Sequence, residues 1–298
     1  MKTRMYLKTI VICLTLGIAG FKPSFAQHKK GLLWEISGKG MTKPAYLFGT
    51  VHLYDTSSYY LPEAPFALLD KVKKVYFEVD FGHINTNDIM EAMFITDTTQ
   101  TIDKLLDAAS LAKLKQMAAV SATLKMFGDK MYSLKPIFLQ TILMNNDGKA
   151  SSVDMELYKA AINKKDSVGG LETIKEQMDA INAISIPVQT DMLRQSLLKN
   201  MSSEQMLSQL TAIYVKQDIE NMLNEINDDM PLDANFNEVL LIKRNVVIAD
   251  RIDALLRKES PLIAVGGGHL GTETGLIALL QKKGYTLKNI PFTINKKH

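Results

Sequence analysis

Two apolar runs from opposite ends of the chain close with the same pattern, and any fold must accommodate both. Gly49-Thr50-Val51-His52-Leu53 closes the run that begins at Tyr46, and Gly266-Gly267-Gly268-His269-Leu270 closes the run Pro261–Val265. Both are G-x-x-H-L. Each run is short, apolar and bounded by turn residues, which reads as a buried strand. A helix follows the second motif to about Lys283 and stops at Gly284, a residue suited to the left-handed cap that ends helices. In parallel sheets ligands bind at the C-terminal ends of strands, because side chains there converge beyond the sheet edge. Two distant histidines at such ends can therefore face one pocket.

The rest of the chain divides by texture. Lys74–Asp80 is another β-prone run, and the helix Pro65 to Lys73 precedes it, so the region reads as β-α-β with a parallel pair. Residues 87–234 change character. Between Asn87 and Leu240 there are only four glycines and three prolines, and methionines are frequent. Thr173-Ile174-Lys175-Glu176 and Ser202-Ser203-Glu204-Gln205 have capping-box form, and Leu105, Leu111, Leu114 and Met117 repeat at near-helical spacing. Five to seven helices are expected there, with the methionines filling gaps between them. Asp166–Glu172 reads as a very short strand or turn. A long helix is expected from about Asn235 to Arg257, and a final strand from Tyr285 to Ile290. The expected fold is α/β: a mixed sheet core from residues 27–86 and 235–298, with a large all-helical middle, 87–234, inserted into one domain, 27–298.

The first residues read as an address. Lys2, Arg4 and Lys8 precede the apolar run Thr9–Phe21, and Ser24-Phe25-Ala26 offers small residues to a signal peptidase. This predicts a signal peptide over residues 1–26 and a periplasmic or extracellular protein. A lipoprotein anchored through Cys13 is disfavoured by the bulky Ile12 before it. Cys13 is the sole cysteine, which excludes disulfides, a thiol nucleophile and thiolate-bound metal after cleavage. Without the four basic leader residues, 31 basic residues face 32 acidic ones. Nothing suggests a nucleic-acid partner. No later apolar stretch reaches the ~18 residues that a membrane span needs. Oligomeric state leaves no trace in the sequence.

Three further positions complete the candidate site. In an extended run Tyr76, Glu78 and Asp80 share one face, and an acid so deep in an apolar strand needs a partner unless the strand end is solvated. A metal ion is one such partner. Two imidazoles and a carboxylate form a recurrent ligand set that leaves positions open for water and substrate. Arg244 has Leu240, Leu241, Val247 and Ile248 as its helical neighbours and so points inward, but Arg251 has nearly the same surroundings. Glu172 lies just before the helix capped by Thr173. It reads either as a pocket-facing, substrate-binding acid or as a carboxylate favoured by the helix dipole. His28, His83 and His298 read as exposed loop or end residues. No G-x-S-x-G nucleophile elbow is present to support a metal-free esterase.

Together these stretches resemble the TraB/GumN (TraB/PrgY/GumN) family, which is related to the Tiki metalloproteases. The resemblance is carried by Gly49–Leu53, Phe77–Asp80, Gly169–Thr173 with Gln177, Arg244-Asn245, Val265–Leu270 and Gly284–Leu287, in the family's order. Ser152 stands where a glycine usually precedes the apolar-acid pair at Asp154, and the second histidine motif has three glycines. The resemblance implies divalent-metal-dependent peptide cleavage and favours Arg244 over Arg251. The expected enzyme is an exported metal-dependent hydrolase using manganese, cobalt or zinc. His52, His269 and Glu78 are its metal residues, Glu78 and Arg244 its catalytic ones, and Arg244 and Glu172 bind a peptide or small-molecule substrate. Gly49, Gly266, Gly267 and Gly268 shape the two turns. The alternative is a non-catalytic protein that sequesters a peptide in the same cleft. If the leader is removed as expected, mass spectrometry of the secreted protein will give Gln27 as its first residue.

Overall fold

The computed structural model describes residues 30–84, 86–145, 150–229 and 234–297. The expected signal peptide, with Cys13 and Ala26, lies outside these residues, as do His28 and His298. The frame is a six-stranded mixed sheet. Its strands are β1 (Leu33–Ser37), β2 (Ala45–Thr50), β4 (Lys74–Val79), β6 (Ser167–Glu172), β7 (Leu262–Gly266) and β8 (Thr286–Asn289), in the spatial order β6-β4-β7-β2-β1-β8. Two short strands, β3 (Tyr54–Asp55) and β5 (Ala150–Ser151), pair separately.

The sheet is built around β7. Leu262, Ile263, Ala264 and Val265 have no exposed surface, so both edges of this strand must be covered. β2 lies parallel on one side, with Thr50 opposite Gly266. β4 lies parallel on the other, with Tyr76 opposite Ile263. The β-α-β reading of the N-terminal region thus gets the direction right but not the neighbours, because β7 is inserted between β2 and β4. The connection is also shorter than expected: a helix Glu63–Ala67 runs on into a tight turn Leu68–Asp70. β1, which the sequence reading did not assign, pairs antiparallel with both β2 and β8. The short motif before Thr173 is a full strand, parallel to β4, with Val79 opposite Glu172. The helical middle therefore also supplies an edge strand. As a result β2, β4, β6 and β7 all end at the same rim of the sheet.

Two hydrophobic cores fill the molecule. One surrounds the sheet and includes Phe48, Phe77, Ile248, Ile252 and Leu280; the other lies within the helical middle and includes Ile102, Leu114, Leu139, Leu143 and Leu193. The middle forms more and shorter helices than expected, among them Ala108–Ala118, Pro136–Met144, Ile186–Leu198 and Ser203–Val215. Both capping boxes form, at Thr173 and at Ser202. The long helix near the C-terminus is interrupted: a π-helical stretch Glu238–Ile242 precedes the regular helix Lys243–Leu256. Among the described residues no helix is long and apolar enough to cross a membrane.

Arg251 serves this frame. It donates to the Leu171 carbonyl at 2.6 Å and to both oxygens of Glu176, at 3.0 and 2.5 Å, tying the C-terminal helix to the end of β6. Arg251 and the Thr173 N–H hold the Glu176 carboxyl at about 2, below its usual 4.5. A carboxylate depressed in the folded state adds stability above the unfolded pKa and loses it as pH falls through the folded one. Glu176→Gln should therefore cost stability at neutral pH, and the difference from wild type should shrink as the pH falls from about 4.5 to about 2. Urea unfolding across that window measures it.

Candidate functional site at the strand ends

Each parallel strand delivers one element of the site. His52 stands two residues beyond β2, and its side chain is 65% exposed. Its Nδ1 lies 2.9 Å from Asp154 Oδ2, and the other oxygen of Asp154 accepts the Thr50 hydroxyl. Asp154 is 2% exposed, in the first turn of the helix Val153–Asn163, whose N-cap is Ser152. The Val153 N–H donates to the Val51 carbonyl at 3.0 Å, so helix and histidine turn are fastened together. A carboxylate at Nδ1 requires a proton there, which leaves Nε2 as the outward nitrogen. The Asp154 carboxylate beside the ring raises the His52 pKa.

His269 has the opposite setting. It ends the tight turn Gly267–His269 after β7 and is 3% exposed. Its Nδ1 lies 2.6 Å from Asn245 Oδ1. The Asn245 amide nitrogen donates to the Thr274 carbonyl at 2.9 Å, which orients the amide and makes Oδ1 the acceptor. The proton therefore sits on Nδ1, and Nε2 presents its lone pair 3.7 Å from Glu78 Oε1. Burial lowers the His269 pKa to about 4, so the ring is neutral at physiological pH.

Glu78 is buried at the end of β4 and fully engaged. Oε1 accepts the Gly266 N–H at 2.7 Å; Oε2 accepts Gln177 Nε2 at 3.0 Å and Arg244 Nη2 at 2.8 Å. Burial pushes its carboxyl up, but His269, His52, Arg244 and the Gly266 N–H outweigh this and hold it at about 2. A Cβ on Gly266 would come within 3.2 Å of Glu78 Oε1, so the absence of a side chain there helps the backbone donor approach.

Arg244 and Glu172, expected at the substrate, are bound to each other. Arg244 Nε lies 3.1 Å from both Glu172 oxygens, and Nη2 donates to Glu172 Oε2 at 2.6 Å. Nη1 donates to the Leu240 carbonyl at 2.8 Å, within the π-helical stretch. Glu172 is thus neither an open pocket acid nor merely a helix-dipole partner, and Arg244 acts on the site through Glu78. Three residues of this network were given no role by the sequence: Asp154, Asn245 and Gln177. The signal for Asp154 was present, because it shares a helix face with the buried Leu157 and Ala161. Asn245 and Gln177 carry no local signal beyond the family resemblance, since their partners lie far along the chain.

The donor chemistry suits a divalent ion in part. Metal-bound imidazoles usually donate their other N–H to an oxygen acceptor, and both histidines do so. A separation of 3.7 Å is within the span of two ligands on one ion with bonds near 2 Å. Yet among the described residues no group of three or more His, Cys, Asp or Glu side chains is arranged to hold a metal.

This fold, with a helical middle over a strand rim bearing two turn histidines and a buried Glu–Arg pair, defines the class. The chain belongs to the TraB/PrgY/gumN family, whose model matches residues 32–289. It is similar to the Metalloprotease TIKI2 of Danio rerio, with 22% identity over 91% of this chain and 63% of that protein. The chain therefore spans less than two thirds of that relative's length. No solved structure matches it significantly.

Arg244→Met would leave Glu78 and Glu172 buried with no guanidinium between them. Removing one partner of a buried ion cluster typically costs about 3–5 kcal/mol. Urea denaturation should show a loss of that order, partly recovered when Glu78→Gln and Glu172→Gln are added.

Proposed function

We propose that this protein is an exported, metal-dependent hydrolase that cleaves peptides. The observation that carries the reading is the pairing of the His269 Nε2 lone pair with Glu78 Oε1 at 3.7 Å, beside an exposed His52. Surplus negative charge adds to it. Three carboxylates, Glu78, Glu172 and Asp154, converge on these groups, against the guanidinium of Arg244. The similarity to a protein named as a metalloprotease, and the basic-plus-apolar leader, support the same reading.

In this scheme His269 and Glu78 would hold a divalent ion (manganese, cobalt or zinc), and the exposed His52 would supply a third ligand. A bound ion of this kind lowers the pKa of coordinated water and polarises a carbonyl. The chain's own residues prepare the site. Asn245 keeps the His269 proton on Nδ1, and Asp154 does the same for His52. Arg244 and Gln177 fix Glu78 against the Gly266 N–H, so its Oε1 faces the His269 imidazole, either as a ligand or as the base that takes a proton from water. Glu172 neutralises Arg244 and keeps the guanidinium in place.

The alternative reading is a protein that captures a peptide in the same cleft without cutting it. Elemental analysis and peptide cleavage separate the two. The hydrolase should retain about one ion per chain, and Asn245→Ala should weaken that binding by roughly 10–100-fold, as loss of an outer-shell partner does. Cleavage should vanish in His269→Ala and on chelation. A chain that binds no ion and leaves bound peptides intact fits capture instead.

A further inference from the structure

We propose that the cleft beside His52 is a specificity pocket for large, uncharged apolar side chains of a bound peptide. The proposal rests on the hydrolase reading of the same site and narrows its substrate class.

The cleft has a volume of about 350 Å³ and opens at the seam between the two hydrophobic cores. Val51 and Ile226 flank it from the sheet's core, and Leu53 and Leu210 from the helical one. It borders both histidine turns. His52 is itself a wall. Leu223 and Leu241, two other walls, lie over Gly268, where a Cβ would meet them at 3.1 and 3.9 Å. A chain lying in the cleft would therefore run past the strand ends that carry the site. The volume is at the low end for a small-ligand pocket, roughly a few hundred Å³. It admits an extended segment but not a folded surface.

The lining sets the chemistry. Among the described residues that line it, His52 is the one ionisable group; the other polar walls are the uncharged Gln140 and Thr141. The Thr141 hydroxyl already donates to the Ile137 carbonyl at 2.9 Å. Ile137, Met192, Leu223 and Phe236 are only half-buried although large and apolar. A charged side chain entering here would lose its hydration with no counter-charge beyond His52, whereas an aliphatic or aromatic one gains from leaving water. Met192 is unbranched and can repack around different shapes, so the pocket selects by polarity more than by shape. The methionines expected as helix filler thus include one that faces a ligand.

The test uses the full purified chain and two fluorescein-labelled, glycine-flanked peptides. One carries adjacent leucine and phenylalanine; the other carries aspartate and lysine in their place. Anisotropy is read in chelator, so that binding does not depend on the metal, and cleavage is followed separately by mass spectrometry with added manganese or zinc. The apolar peptide should bind wild type about tenfold or more tighter than the charged one. Met192→Lys and Leu210→Glu, checked for folding by circular dichroism, should abolish that preference. Equal affinity of wild type for the two peptides overturns the pocket. So does a preference unchanged in both folded variants. Metal-dependent cleavage without discrimination rejects the pocket and leaves the hydrolase standing; selective binding without cleavage under any metal does the reverse.

Discussion

Glu78 and Glu172 are buried at the ends of adjacent parallel strands and share the guanidinium of Arg244. Two carboxylates this close cannot both stay ionised in an apolar setting without a cation between them. The rest of the strand rim follows from that contact. It fixes the C-terminal helix against β4 and β6. It turns the remaining oxygen of Glu78 toward the Gly266 N–H and His269. It also draws on the Leu240 carbonyl in the π-helical stretch, a local departure from regular helix of the kind often found at functional sites.

The two G-x-x-H turns look alike in sequence and become different tools in the fold. His52 is exposed and braced by an anion, Asp154; His269 is buried and braced by a neutral amide, Asn245. The anion favours the protonated ring, and burial favours the neutral one. One turn therefore presents a basic imidazole to solvent, while the other keeps a lone pair against Glu78. The seam between the cores opens beside the exposed member of the pair.

Much of this frame can be read without coordinates. Apolar period and turn residues mark β2, β4 and β7, the capping boxes mark two helix starts, and the repeated motif points to the strand ends. β1 stayed hidden because its alternation is brief and its partners, β2 and β8, come from two parts of the chain. Asp154 was passed over because an acid in the first turn of a helix is ordinary by local rules, although it shares a face with the apolar Leu157 and Ala161.

The sequence by itself determined the elements, the α/β class and the residue types available at the strand ends, because periodicity, capping and glycine turns are local properties of the chain. Tertiary structure alone decided which arginine reaches the acids. Arg244 and Arg251 lie on one helix face with similar neighbours, and the packing of that helix at the ends of β4 and β6 sets the first against Glu78 and Glu172 and the second against Glu176. It decided as well that the two histidines differ, since burial and partner charge arise only when distant segments pack.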